Sequence, residues 1–183
     1  MNEVLKAITA RNSCRDFTGA PLTDEQIKDI SNAALSAPSA MNKQPWHLIF
    51  VKDKALIDEL DAEGMGILAA AEDKTVYNRM KDRGGKLLYN APCLVYILSD
   101  GSGYAPIDCG ILCQNIALAA QSMDLSSCIV GMAGVPLGGP KGDAFKKRLK
   151  FPDGYSFAVG ILVGKPNTGK EPHELDMGKI TYV

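Results

Sequence analysis

The first apolar positions of the chain, Val4, Leu5 and Ile8, share one face of a short helix that the pattern ends near Arg11. A polar turn through Gly19-Ala20-Pro21 leads to a second helix, Thr23 to Leu35, with Ile27, Ile30 and Ala34 on one side. Thr23 and Gln26 have capping-box spacing, in which each side chain satisfies the other residue's backbone N–H. From Ser36 to Pro45 the apolar period disappears. Pro38 and Pro45 bias Ala37 and Gln44 out of the helical region, which predicts a stiff, extended connector. Trp46 to Val51 is then an aromatic and β-branched run of strand length.

Asp53 is placed to cap a helix carrying Leu56, Ile57 and Leu60, which Gly64 and Gly66 are expected to interrupt before an alanine-rich piece, Ile67 to Ala71. Asp73 to Lys86 is charged and weakly patterned. It reads as the most mobile part of the chain and a candidate lid, with a solvated helix as the alternative. Cys93 to Leu98 is a buried strand. The helix predicted from Pro106 to Met123 is apolar on nearly all sides, so it is covered all round, either in the core or by the same helix of a second subunit. Ser127 to Met132 is a short strand entering a loop rich in glycine and proline. Phe145 and Leu149 anchor a further helix, and Phe157 to Val163 is the last buried strand. The tail, Met177 to Val183, is strand-like and expected to pair with the sheet or with another subunit. Strands interleaved with helices at uneven spacing predict an α+β sheet layered with helices.

Composition narrows the function. A chain of 183 residues is one domain, 1–183, with enough length for a proper core. A net charge of −1 gives no electrostatic case for nucleic acid or an anionic membrane. No apolar run approaches the ~20 residues of a membrane span, and Met1-Asn2-Glu3 lacks signal-peptide character, which predicts a cytoplasmic protein. Five cysteines without a CxxC pair read as reduced, mostly buried thiols. With only His47 and His173 there is no basis for a histidine-rich metal site.

Two near-motifs fail on chemistry. Gly101-Ser102-Gly103-Tyr104-Ala105-Pro106 approaches a dinucleotide fingerprint but carries proline where close helix packing needs Gly or Ala. Gly164-Lys165-Pro166-Asn167-Thr168-Gly169-Lys170-Glu171 approaches a P-loop but offers Glu171 where magnesium needs Ser or Thr. No nucleophile–base pair is spaced for catalysis, so reactivity is expected from a cofactor. Arg11 and Arg15 flanking Ser13 suit a phosphate, although the same residues would serve as solvated arginines at a helix end. Gly131 allows close approach of a flat ring or marks a bulge.

Arg11-Asn12-Ser13-Cys14-Arg15-Asp16-Phe17, together with Pro38-Ser39-Ala40-Met41-Asn42-Lys43-Gln44-Pro45-Trp46, resembles the flavin-dependent nitroreductase family. Members of that family carry Arg-x-Ser-x-Arg-x-Phe/Tyr after a short helix and Pro-Ser-x-x-Asn-x-Gln-Pro-Trp after the next. The resemblance extends through Asp108 to Gly131 and to the strand ending at Gly164. It implies a nitroreductase-like three-layer α+β fold whose mostly antiparallel sheet of four to five strands is flanked by helices. It further implies an obligate homodimer with FMN at the subunit interface, NADH or NADPH as hydride donor, and a small acceptor such as a nitroaromatic or quinone. By motif, Arg11, Asn12, Ser13 and Arg15 would take the phosphate, ribityl chain and pyrimidine edge, with Lys165 and Lys170 also toward the phosphate. Pro38, Ser39, Ala40 and Asn42 would reach the flavin from the partner subunit, and the backbone of Val130 and Gly131 would lie beside its reactive N5 edge. The tail lacks the arginine that the family often places there. A flavin-storage or redox-partner protein remains the alternative from another class. Within the superfamily, a dehalogenase or a flavin-degrading enzyme is the alternative.

Overall fold

The computed structural model describes residues 2–169, 171 and 173–183. Helices α1 (Glu3–Ala10) and α2 (Asp24–Leu35) precede strand β1 (Trp46–Val51). Helices α3 (Lys54–Ala70) and α4 (Thr75–Asp82) lead to β2 (Cys93–Ser99), α5 (Ala105–Ser122) and β3 (Ser126–Val130). Helix α6 (Gly142–Arg148) and β4 (Ser156–Gly164) complete the regular elements, and 3₁₀ turns occupy Ala40–Asn42, Gly131–Gly138 and Met177–Lys179.

The four strands form one antiparallel sheet in the order β1-β2-β4-β3, so β3 is an edge. Side chains alternate between its two faces, and helices bury both. Val95, Ile97, Ile161 and Val163 meet Ile30 of α2 and Leu112 and Ile116 of α5. Leu94, Tyr96, Leu98 and Leu162 meet Leu56 and Leu60 of α3 and Phe145 of α6. Every residue of β2 is buried, as expected of a central strand covered on both sides. The expected three-layer α+β architecture is therefore present, with four strands.

Local chemistry set several boundaries. Gln26 N–H donates to Thr23 Oγ1 at 3.1 Å and Thr23 N–H to Gln26 Oε1 at 2.9 Å, completing the capping box that starts α2. Asp53 accepts from the amides of Ala55 and Leu56 and starts α3. That helix is not broken at Gly64 or Gly66 but runs unbroken to Ala70. Tertiary packing outweighs the glycine penalty: Gly64 lies under Leu87, whose Cδ1 would stand 2.4 Å from an added Cβ.

One other expectation is corrected, that of the extended connector, and two keep one of their stated alternatives. The segment read as a lid contains α4, whose Met80 is 4% exposed and lies against the Tyr89 hydroxyl, so it is anchored to the core. Its end is set by Gly84 and Gly85 at φ 93° and 72°. The connector before β1 is not extended throughout; it tightens into the turn Ala40–Asn42. The tail forms one short turn capped by Asp176, and among the described residues it pairs with no strand of its own chain.

Candidate functional site

Arg11 stands at the end of α1, its N–H donating to Ala7 O at 3.0 Å. Asn12 folds back, with Nδ2 donating to Ala10 O at 3.3 Å. The chain then meets the open edge of β3: Ser13 bridges Ser127 in parallel, and Cys14 N–H donates to Ser127 O at 2.9 Å. Just beyond, Phe17 bridges Pro166, and Thr18 N–H donates to Lys165 O at 3.0 Å. Asn167, a residue the sequence reading missed, closes the join. Its Nδ2 lies 2.8 Å from Asp16 Oδ1 and 3.1 Å from Phe17 O. The fold thus brings Lys165 beside the Arg11–Arg15 stretch. Ser13, Arg15, Thr168 and Gly169 line a cavity of about 260 Å³ there. Lys170 lies outside the described residues.

Arg11, Arg15 and Lys165 make no ion pair with any described residue. Arg15 shares the cavity wall with Asp16, and Arg11 and Lys165 stand on chain segments that adjoin it; unpaired cations on these segments suit an anionic ligand. Val130 and Gly131 lie three to four residues further along the same edge strand, roughly 10 Å away at a strand's rise. Gly131 has no positive φ, and nothing lies within 4 Å of an added Cβ, so the chain itself gives no reason for glycine there. A polar pocket walled by Ser13, Arg15, Asp16 and Thr168, with Arg11 and Lys165 on adjoining segments, and a bare backbone further along the edge fit a long ligand with an anionic tail and a flat head. FMN has that shape and charge.

The second motif lies elsewhere. Ala40 N–H donates to both oxygens of Asp108, at 3.2 and 3.3 Å, in the first turn of α5. Asp100 N–H donates to Pro45 O at 3.0 Å, beside the Trp46↔Ser99 pair. The loop therefore sits at the Ser156 end of β4, whereas Ser13 sits beside the Ser127↔Val163 pair. These points are seven residues apart along β4, roughly 23 Å. The structure brings Arg11, Ser13, Arg15 and Lys165 together and keeps Pro38, Ser39, Ala40 and Asn42 apart from them.

The loop is built under strain. Met41, Asn42 and Gln44 have φ of 54°, 53° and 47°, a left-handed conformation that costs non-glycine residues roughly 1–3 kcal/mol each. Bonds inside the loop offset part of this: Gln44 N–H donates to Ser39 Oγ at 2.9 Å and Asn42 N–H to Ser39 O at 2.9 Å. Met41 remains 90% exposed.

No side chain here is a credible nucleophile. All five cysteines are free and buried. Burial pushes the thiols of Cys93 and Cys113 up to about 12; burial, with Asp108 and Asp100 nearby, takes that of Cys109 to about 11. They remain protonated at neutral pH.

A family model described as the nitroreductase family matches residues 8–165. The crystal structure of a nitroreductase with bound FMN from Desulfitobacterium hafniense DCB-2 is similar at a TM-score of 0.96 and 48% identity, over 100% of this chain and 99% of that one. Another nitroreductase with bound FMN, from Bacteroides fragilis NCTC 9343, gives 0.89 and 27% identity over the whole of both chains. The NADPH-flavin oxidoreductase of Vibrio harveyi is 29% identical over 175 residues, 93% of this chain and 69% of that protein.

Proposed function

The chain belongs to the nitroreductase family, and from that premise we propose that its flavin site is completed by a second copy of the chain. The protein is an FMN-dependent oxidoreductase driven by NAD(P)H. When bound, FMN supplies two-electron chemistry, taking electrons from NAD(P)H and delivering them to a second, small acceptor. In our reading that acceptor is a nitroaromatic, a quinone or a similar electron-poor molecule. The residues of the chain bind and orient. Arg11, Arg15 and Lys165 neutralise the phosphate, with Ser13 adding a hydroxyl. The edge beside Val130 and Gly131 leaves the flat ring a backbone surface to rest on. Asn42 and Ser39 approach from the partner subunit. Five free, buried thiols fit a reducing compartment and support a cytoplasmic location.

One observation carries the shared-site reading: the two motifs lie at opposite ends of the sheet, too far apart for one ring system to touch both. A two-fold partner resolves this by bringing the loop of one subunit to the edge strand of the other. Mixing Arg11→Ala with Asn42→Ala tests it. In a verified heterodimer one site collects both lesions and the other none, so the expected result is about one FMN per dimer and restored NAD(P)H oxidation with a quinone. Heterodimers that remain as defective as their parents would show that both motifs serve the flavin of one subunit.

A further inference from the structure

Asp108 is 4% exposed, yet no described basic side chain pairs with it. A buried carboxylate without a counter-ion is costly, and an apolar side chain would suit its surroundings better. Capping does not account for it. The amides of the first turn are already bonded, Ala105 to Ser102 O and Ile107 and Asp108 to Tyr104 O, and Pro106 has none. Its recorded bonds go instead to Ala40, sixty-eight residues earlier.

That bond holds a special place in the loop. Every other recorded hydrogen bond of residues 39–44 stays within the loop: Asn42 to Ser39, Lys43 to Ala40, Gln44 to Ser39 and Gln44 to Asn42. Among the described residues, Asp108 alone ties the strained part, residues 39–44, by hydrogen bonding to the rest of the fold; the next tie, Asp100 N–H to Pro45 O, lies beyond it. With Met41, Asn42 and Gln44 in left-handed conformations, the loop needs an external constraint to persist. We propose that Asp108 is a positioning residue, holding Ser39 to Asn42 in the turn that meets the FMN of the partner subunit. This rests on the shared-site reading, and it assigns Asp108 to the flavin that its own Arg11 does not touch.

The test is a three-way mixing of variants, read as FMN per verified heterodimer by absorbance at limiting FMN. Asp108→Ala should weaken FMN binding roughly ten-fold or more, about the loss of one hydrogen bond to a charged group. Asp108→Asn, whose amide oxygen still accepts Ala40 N–H, should stay within a few-fold of the parent. Paired with Arg11→Ala, the Asp108→Ala subunit should restore one tight site per dimer. Paired with Asn42→Ala it should restore none, because each site then carries one lesion in its loop. If Arg11→Ala with Asn42→Ala restores a site while Arg11→Ala with Asp108→Ala does not, the positioning role is overturned and the shared site stands. If the reference pair itself fails, the shared site falls, and the assignment of Asp108 falls with it. Restoration by Asp108→Ala with Asn42→Ala also refutes the proposal, since the two residues would then serve different sites. Should Asp108→Ala not fold, Asp108→Leu, of similar size and unable to accept, replaces it. Failure of both to fold would make Asp108 a folding residue and overturn the proposal.

Discussion

Arg11 ends its helix with a guanidinium that no described carboxylate engages, and this makes its contribution measurable. Arg11→Ala removes a charge-assisted contact worth ~1.5–3 kcal/mol, so FMN should bind roughly ten- to a hundred-fold more weakly in a titration of apoprotein. Unchanged affinity would put the phosphate elsewhere. Gly131→Ala separates ligand from fold differently. Open space surrounds the position its new methyl group would take, so the melting temperature of the apoprotein should hold while FMN affinity falls. At Gly160 the added Cβ would lie 2.7 Å from Ala133 Cβ and 3.1 Å from Val130 O, so Gly160→Ala should destabilise the apoprotein itself. Asp61 offers a test by pH. It is buried and accepts from Leu88 N–H at 2.6 Å. Burial raises its carboxyl above the usual range, opposed by the Leu88 and Leu87 amides and the nearby Lys86 charge, and assisted by Asp58. The folded state therefore holds this proton more tightly than the unfolded state. Its stabilising contribution is complete below the unfolded pKa and is lost as pH rises through the folded one. The stability of the parent relative to Asp61→Asn should decline from about pH 3 towards 7 in urea denaturation. A rise over that range would contradict the assignment.

Helix α3 shows how two glycines in one element differ. Gly66 has nothing within 4 Å of an added Cβ, so Gly66→Ala should stabilise the protein by roughly 0.5–1 kcal/mol through helix propensity. Gly64→Ala must displace the Leu87 side chain and should gain nothing or lose stability; equal gains at both sites would refute the packing argument. The same helix marks what sequence could reveal. The starts of α2 and α3 were legible because their caps are local, Thr23 with Gln26 and Asp53 with the two amides after it. The unbroken course of α3 was not, because it depends on Leu87, distant in sequence. Strand β3 stops at Val130 rather than Met132, because the chain turns there to place Ala133 O 3.0 Å from the Tyr96 hydroxyl. The two polar motifs were legible as breaks in apolar pattern, but their separation follows from sheet order, a non-local outcome. Asp108 did leave a signal: it is the single charged residue of a largely apolar helix, in its first turn. Asn167 left none that distinguishes it from other residues of a polar loop.

The elements of the molecule are unevenly finished for water. Among the described residues, its large exposed apolar side chains come from α1, the end of α2, the loop after it, Tyr104, α5, β3 and the tail; α3, α4 and α6 contribute none. Ile107 and Ile111 of α5 are 61% and 37% exposed, and Ile129 on the edge strand is 46% exposed. A groove of about 440 Å³ between α1, α2 and α5 is lined by Val4, Ala7, Ala33, Leu118 and Ala119, with Glu3, Ser36, Asn115 and Ser122 among them. Exposed apolar side chains on α1, α5 and the edge strand, beside both polar motifs, are what a two-fold interface requires. If each site needs two subunits, dimerisation and FMN binding are linked. Ligand at a hundred times its Kd then adds about 2.7 kcal/mol per site to the assembled state. Sedimentation across a dilution series should therefore show dimer persisting to lower protein concentration with FMN than without it. Ile107→Asp with Ile111→Asp should abolish dimer and FMN binding in the same step, because burying two carboxylates from each subunit costs more than the remaining contacts return. A folded monomer that keeps its flavin, from either the dilution or the double variant, would show that one chain holds FMN by itself and would remove the reason for this exposed apolar surface.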